Sequence, residues 1–139
     1  MAKIILISCV SSKVAHRAKA KDLYVSPLFK YNLRYAHALN PDKIFILSAK
    51  YGLVNLEKEI DPYNLTLNKM KAIQVKAWAE QVVSDLRKEV NLDNDEIIFL
   101  AGSRYRKYLI PHIKNYKIPL KGFGIGKQLQ FLKDKMHNE

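Results

Sequence analysis

Lys3-Ile4-Ile5-Leu6-Ile7-Ser8 sets four consecutive branched aliphatic residues between two polar ones. A run so short and so continuously apolar suits a strand covered on both faces, as in a parallel sheet; a half-exposed strand would alternate. Lys43 to Leu47 and Glu96 to Leu100 are runs of the same kind. Between the first two, Ser26 and Pro27 make an N-cap followed by proline at the first helical position. Leu28, Phe29, Leu33, Ala36 and Leu39 then supply an apolar face, and Asn40-Pro41 stops the helix. A longer helical pattern starts near Asn68 and carries Met70, Ile73, Ala77, Trp78, Val82, Leu86 and Val90 at three- and four-residue steps. A shorter helix is expected after Ser103. Lys117 to Leu120 is expected as a fourth, edge strand, because Pro119 cannot donate to a ladder. Ile125, Leu129, Leu132 and Met136 mark a closing helix. The alternation predicts an α/β fold: a three-layer αβα sandwich on a mostly parallel sheet of about four strands, Rossmann-like, in the order 2-1-3-4.

Residues 1–139 contain no internal repeat, low-complexity tract or Pro/Gly-rich linker, so they read as a single α/β domain. The 24 Lys and Arg against 13 Asp and Glu leave a formal charge of +11, which favours anionic partners such as nucleic acid or nucleotides. A solvated coat of lysines that supports solubility is the plainer alternative. The single cysteine, Cys9, excludes an internal disulfide framework and a cysteine-based zinc site, and points to a reducing, cytoplasmic setting. No metal site and no cofactor are expected. Met1 to Val10 is apolar but too short to span a bilayer and lacks the layout of a signal peptide, so no membrane association is expected. Oligomeric state is left open.

In open parallel sheets ligands settle beyond the carboxyl ends of the strands, where loops converge and helix N-termini face inward. Ser8-Cys9-Val10-Ser11-Ser12-Lys13 follows the first strand, and its small hydroxyls, backbone N–H groups and lysine suit a phosphate or carboxylate. Cys9 is a candidate nucleophile there, against the plainer role of a small core residue. After the second strand come Ser48-Ala49-Lys50-Tyr51-Gly52-Leu53 and Asp61-Pro62-Tyr63. Lys50 suits an anion, Tyr51 and Tyr63 suit a stacked base, Gly52 suits a positive φ, and Asp61 is a candidate proton acceptor. The alternative is a tight connection in which Tyr51 packs and Asp61 caps a turn. After the third strand, Gly102, Ser103 and Tyr105 open a helix, with Arg104, Arg106 and Lys107 adding charge. Gly122-Phe123-Gly124-Ile125-Gly126-Lys127-Gln128 fits neither the P-loop spacing nor the dinucleotide fingerprint. Gly124, Gly126, Lys127 and Gln128 are nonetheless candidates to border the same crevice from a helix start.

Several of these segments together resemble a family of short α/β proteins classed as a domain of unknown function, itself distantly similar to the peroxide-stress protein YaaA. The resemblance rests on Ile7-Ser8-Cys9 with Lys13, Asp22-Leu23-Tyr24 with Ser26-Pro27-Leu28-Phe29, and Ser48-Ala49-Lys50-Tyr51-Gly52-Leu53. Pro62-Tyr63 ahead of Thr66-Leu67, Pro119-Leu120 and Gly124-Ile125-Gly126-Lys127-Gln128-Leu129 complete it. YaaA-like proteins are longer and are associated with DNA binding and oxidative stress. The shared core resembles that of uracil-DNA glycosylases, although this sequence carries no water-activating or histidine signature of that kind.

These readings converge on a nucleic-acid- or nucleotide-directed protein. If it turns over a substrate, a base or its N-glycosidic bond is the expected target, a hydrolase of glycosidic-bond type in which Asp61 positions water or a developing cation. An enzyme acting on a small anionic metabolite and a non-catalytic partner-binding module are the alternatives.

Overall fold

The computed structural model describes residues 1–8 and 13–137. In chain order its elements are β1 (Lys3–Ser8), β2 (Ala18–Lys19), α1 (Ala20–Leu23), α2 (Pro27–Ala38), β3 (Lys43–Ser48), β4 (Gly52–Asn55) and β5 (Glu59–Ile60). Then come α3 (Ala72–Glu89), β6 (Glu96–Leu100), α4 (Ser103–Arg106), β7 (Tyr116–Lys117) and α5 (Ile125–His137). The fold is mixed α/β, with a five-stranded, mostly parallel sheet in the order β4-β3-β1-β6-β7. β1 runs parallel to both β3 and β6, β7 runs parallel to β6, and only β4 is antiparallel to its neighbour.

β1 is the middle strand because its side chains can be buried in both directions. Ile4, Ile5, Leu6 and Ile7 are all fully buried, each worth roughly 1.5–3 kcal/mol of gross burial. Successive side chains of a strand point to opposite faces. Ile4 and Leu6 accordingly join Phe45, Leu47, Ile97 and Phe99 against Val75, Ala79, Val82 and Leu86 of α3. Ile5 and Ile7 join Ile46, Ile98 and Leu100 against Phe29 and Ala36 of α2 and Leu132 of α5. Two aspartates seat the start of the strand: Asp95 accepts from the Ala2 N–H at 2.9 Å and Asp42 from the Lys3 N–H at 2.7 Å.

α2 starts as its sequence dictates, with Ser26 Oγ accepting from the Phe29 N–H at 3.3 Å and Pro27 at the first helical position. It gives way at Asn40, whose φ of 52° is left-handed. Elsewhere the structure adds to the sequence pattern. β4 pairs back on β3 through a tight turn that ends at Gly52, and a two-stranded ribbon joins β2 to β5. The Asn68 region forms a short 3₁₀ turn, Leu67–Lys69, and the long helix begins only at Ala72. The edge strand β7 is two residues long and ends before Pro119. Among the described residues no helix is long and apolar enough to cross a membrane.

Candidate functional site

The described segments between β1 and β3, including α1 and α2, pack on the Ile5 and Ile7 face through Ala20, Leu23 and Phe29. The chain leaves β6 towards α4, whose Tyr105 packs on the opposite face with Phe99. Neighbouring parallel strands whose following segments take opposite faces in this way leave a crevice between their carboxyl ends. Ser8, at the end of β1, accepts a hydrogen bond through Oγ from the Gly102 N–H at 3.1 Å, which ties the two strand ends together across that crevice.

A cavity of about 400 Å³ opens there. One wall is α2, through Pro27, Leu28, Phe29 and Asn32; another is the end of β6 with Leu100, Ala101, Gly102 and Tyr105; a third is the start of α5, through Ile125, Gln128 and Leu129. Ser8, Ser26 and Asn68 complete it. Its lining is mainly apolar, with hydroxyl and carboxamide groups interspersed and, among the described residues, no formally charged side chain, a composition typical of small-molecule sites. Asn32 is only 3% exposed, and its Oδ1 has no hydrogen-bond partner among the described residues. A buried acceptor left in that state costs about 1–3 kcal/mol.

Two cationic concavities adjoin this neutral cavity. One is an open groove of about 820 Å³ containing Lys13, Tyr63 and Lys69, and it shares Asn68 with the cavity. The second is a recess of about 310 Å³ containing Ser103 and Arg106, and it shares Ala101, Gly102 and Gln128 with the cavity. The Arg106 guanidinium donates to the Ala101 carbonyl at 2.7 Å, and burial holds its pKa below the ordinary arginine value. Aromatic rings connect the groove to the cavity. Lys13 Nζ lies 4.4 Å from the centre of the Tyr63 ring. Tyr63 meets Tyr24 edge-on at 6.4 Å, their hydroxyls 2.5 Å apart, and Tyr24 in turn meets the cavity-lining Phe29 at 5.0 Å. Tyr51 packs edge-on to Tyr63 at 5.7 Å, with Lys50 Nζ 5.3 Å from its own ring centre.

Of the residues singled out from the sequence, Ser8, Gly102, Tyr105 and Gln128 therefore line the cavity, Lys13 and Tyr63 line the groove, and Ser103 lines the recess. Lys50 and Tyr51 extend the aromatic row outward. Ser48 is fully buried in structural work: its Oγ accepts from the Tyr51 N–H at 3.0 Å and its carbonyl accepts from the Trp78 indole at 2.8 Å. Gly52 has φ +74° and closes the turn into β4. Gly124, Gly126 and Lys127 are exposed at the start of α5, where the Gly124 carbonyl accepts from the Gln128 N–H. Asp61 lies on the rim, ion-paired with Arg17 at 3.2 Å, both side chains more than half exposed. Cys9, Ser11 and Ser12 lie outside the described residues.

Asn32 and Asn68 are the functional candidates that sequence reasoning missed. The signal for Asn32 was present: a carboxamide three residues after Phe29 and four before Ala36 sits on the apolar stripe of α2, where a polar side chain needs a reason.

The model of a family described as of unknown function, DUF6884, matches residues 4–134. The chain belongs to the DUF6884 family. No curated protein and no solved structure matches it. The DUF6884 match spans every element that walls the crevice, from β1 through the cavity-lining turn of α5.

Proposed function

We propose that this DUF6884 protein is directed to nucleotides or nucleic acid, with a base held in the neutral cavity and phosphates held beside it. The observation that carries the reading is that a cationic groove and a cationic recess both adjoin an uncharged, mainly apolar cavity. A nucleotide chain likewise sets each uncharged planar base beside anionic phosphates. The tyrosine row offers edges and faces for further bases, as single-strand binding surfaces do. The formal charge of +11 points the same way, and the proposal includes a distant kinship with YaaA-like proteins. In this reading the sheet and its flanking helices form a three-layer, Rossmann-like αβα sandwich, the ligand takes the position such folds reserve for it, and the protein works in the cytoplasm. Asp61, ion-paired on the rim, is assigned no bond-breaking step.

Anisotropy of a labelled single-stranded oligonucleotide, titrated across salt concentrations, tests the proposal. Lys13, Lys69 and Arg106 neutralising three phosphates give a log–log slope of about −2 for a single strand, and Lys13→Ala or Lys69→Ala each flattens it by about 0.7. Absence of binding, or binding indifferent to salt, overturns the reading.

A further inference from the structure

We infer that the cavity takes one uncharged base edge-first, with an N–H of that base donating to Asn32 Oδ1. This inference rests on the nucleotide-directed reading above and specifies which part of the ligand enters and how it is read.

Three observations carry it. The first is the Asn32 carbonyl oxygen, buried in the cavity wall and lacking a donor among the described residues. Protein interiors rarely tolerate such a group without a purpose, and the partner it lacks is a donor, which excludes a phosphate or carboxylate at that point. The second is the absence of formal charge on the lining side chains among the described residues, together with Leu28, Phe29, Leu100 and Leu129 on the walls. Such walls accept a planar heterocycle and penalise an ion, because a buried charge without a counter-charge is expensive. The third is the approach of α5, a helix of thirteen residues whose first turn, from Ile125 to Gln128, forms part of the wall. The Gln128 N–H is taken by the Gly124 carbonyl, but the N–H groups of the first three helical residues have no acceptor within their own helix and carry positive partial charge, so they suit a carbonyl oxygen or ring nitrogen of the same ligand. Together they demand a neutral molecule that bears a donor and an acceptor, and nucleobases present both. The sugar and phosphates stay outside, beside Lys13, Lys69 and Arg106. A base already paired in a duplex cannot offer that edge, so recognition is confined to unpaired or extruded bases.

The test compares nucleosides that have the edge N–H with partners that lack it: inosine against 1-methylinosine, and adenosine against N6,N6-dimethyladenosine. Binding is read by the thermal shift of the full chain and by quenching of Trp78, the single tryptophan, which packs edge-on against Tyr105 of the cavity wall at 5.7 Å. At least one parent nucleoside is expected to bind at least tenfold more tightly than its methylated partner, and Asn32→Leu is expected to abolish that difference. Equal binding of parent and methylated nucleosides by the wild-type protein overturns the inference without recourse to any variant. Failure of every nucleoside to bind, while the oligonucleotide still binds with its salt dependence, overturns the base pocket and leaves the nucleotide-directed reading standing. Failure of the oligonucleotide as well overturns both.

Discussion

Replacing Asn32 by leucine tests the site through the energetics of the empty protein. Asn32 sits inside α2, almost completely buried, with a carbonyl oxygen that accepts no hydrogen bond among the described residues. Leucine removes that stranded acceptor, which costs about 1–3 kcal/mol where it stands. It also has a helix propensity better by a few tenths of a kcal/mol, and the adjoining cavity leaves room for its branched end. The expected outcome is stabilisation, an unusual direction for a change at a buried position. With an unfolding entropy of about 2.1 cal/mol/K per residue, 139 residues give about 0.29 kcal/mol/K, so the gain corresponds to a rise in Tm of about 3–10 °C. Thermal and urea unfolding followed by Trp78 fluorescence measure it. Asn32→Ala should gain less, because the volume it vacates enlarges the cavity at a further cost. A fall in Tm for Asn32→Leu would show that the oxygen has an internal partner, and the argument for a site awaiting a donor would fail with it.

Three further outcomes follow from the same geometry. Gly52→Ala places a Cβ on a backbone with φ +74°, at an ordinary 3.7 Å from Val82 Cγ2; the left-handed strain alone lowers stability by about 1–2 kcal/mol, seen as a lower urea midpoint at unchanged slope. Trp78→Phe leaves the buried Ser48 carbonyl without its indole donor and costs about 1–3 kcal/mol, read by circular dichroism because the fluorophore is lost. The Asp95 carboxylate is held below its ordinary pKa of 3.8, first by the Ala2 N–H and then by that of Asn91. A depressed folded pKa contributes stability above the unfolded value that is lost as pH falls through the folded one. The Tm of the wild-type protein should therefore fall below about pH 3.8, and Asp95→Asn should show a flatter acid limb.

Most of the scaffold was legible because its signals are local and redundant. Ser26-Pro27 starts a helix by capping chemistry, the continuous aliphatic runs of β1, β3 and β6 suit a covered parallel sheet, and α5 follows its apolar spacing. β4 escaped because four residues, one of them glycine, carry no distinctive pattern, and the two-residue strands of the β2–β5 ribbon carry none at all. The candidate site was legible in outline, since loops at the carboxyl ends of parallel strands must converge. Its contents were harder to read. Ser48 looks like a ligand group in sequence, yet the turn it belongs to consumes both its hydroxyl and its carbonyl. Asn32 falls on the apolar stripe of α2 in sequence, but only the packing shows that its carbonyl oxygen is buried without a donor among the described residues.

The central place of β1 also dictates an order of assembly. Its start is pinned to Asp42 across 39 residues and to Asp95 across 93. Closing the shorter loop first costs less chain entropy, by roughly 0.8 kcal/mol, so the β1–β3 pair is the natural nucleus and β6 the late arrival. Until β6 docks, one side of the most apolar strand in the molecule is an open template for other chains. A fragment ending before Glu96 should therefore precipitate rather than fold, and the protein's yield in cells should depend on how quickly that last long-range pairing is made.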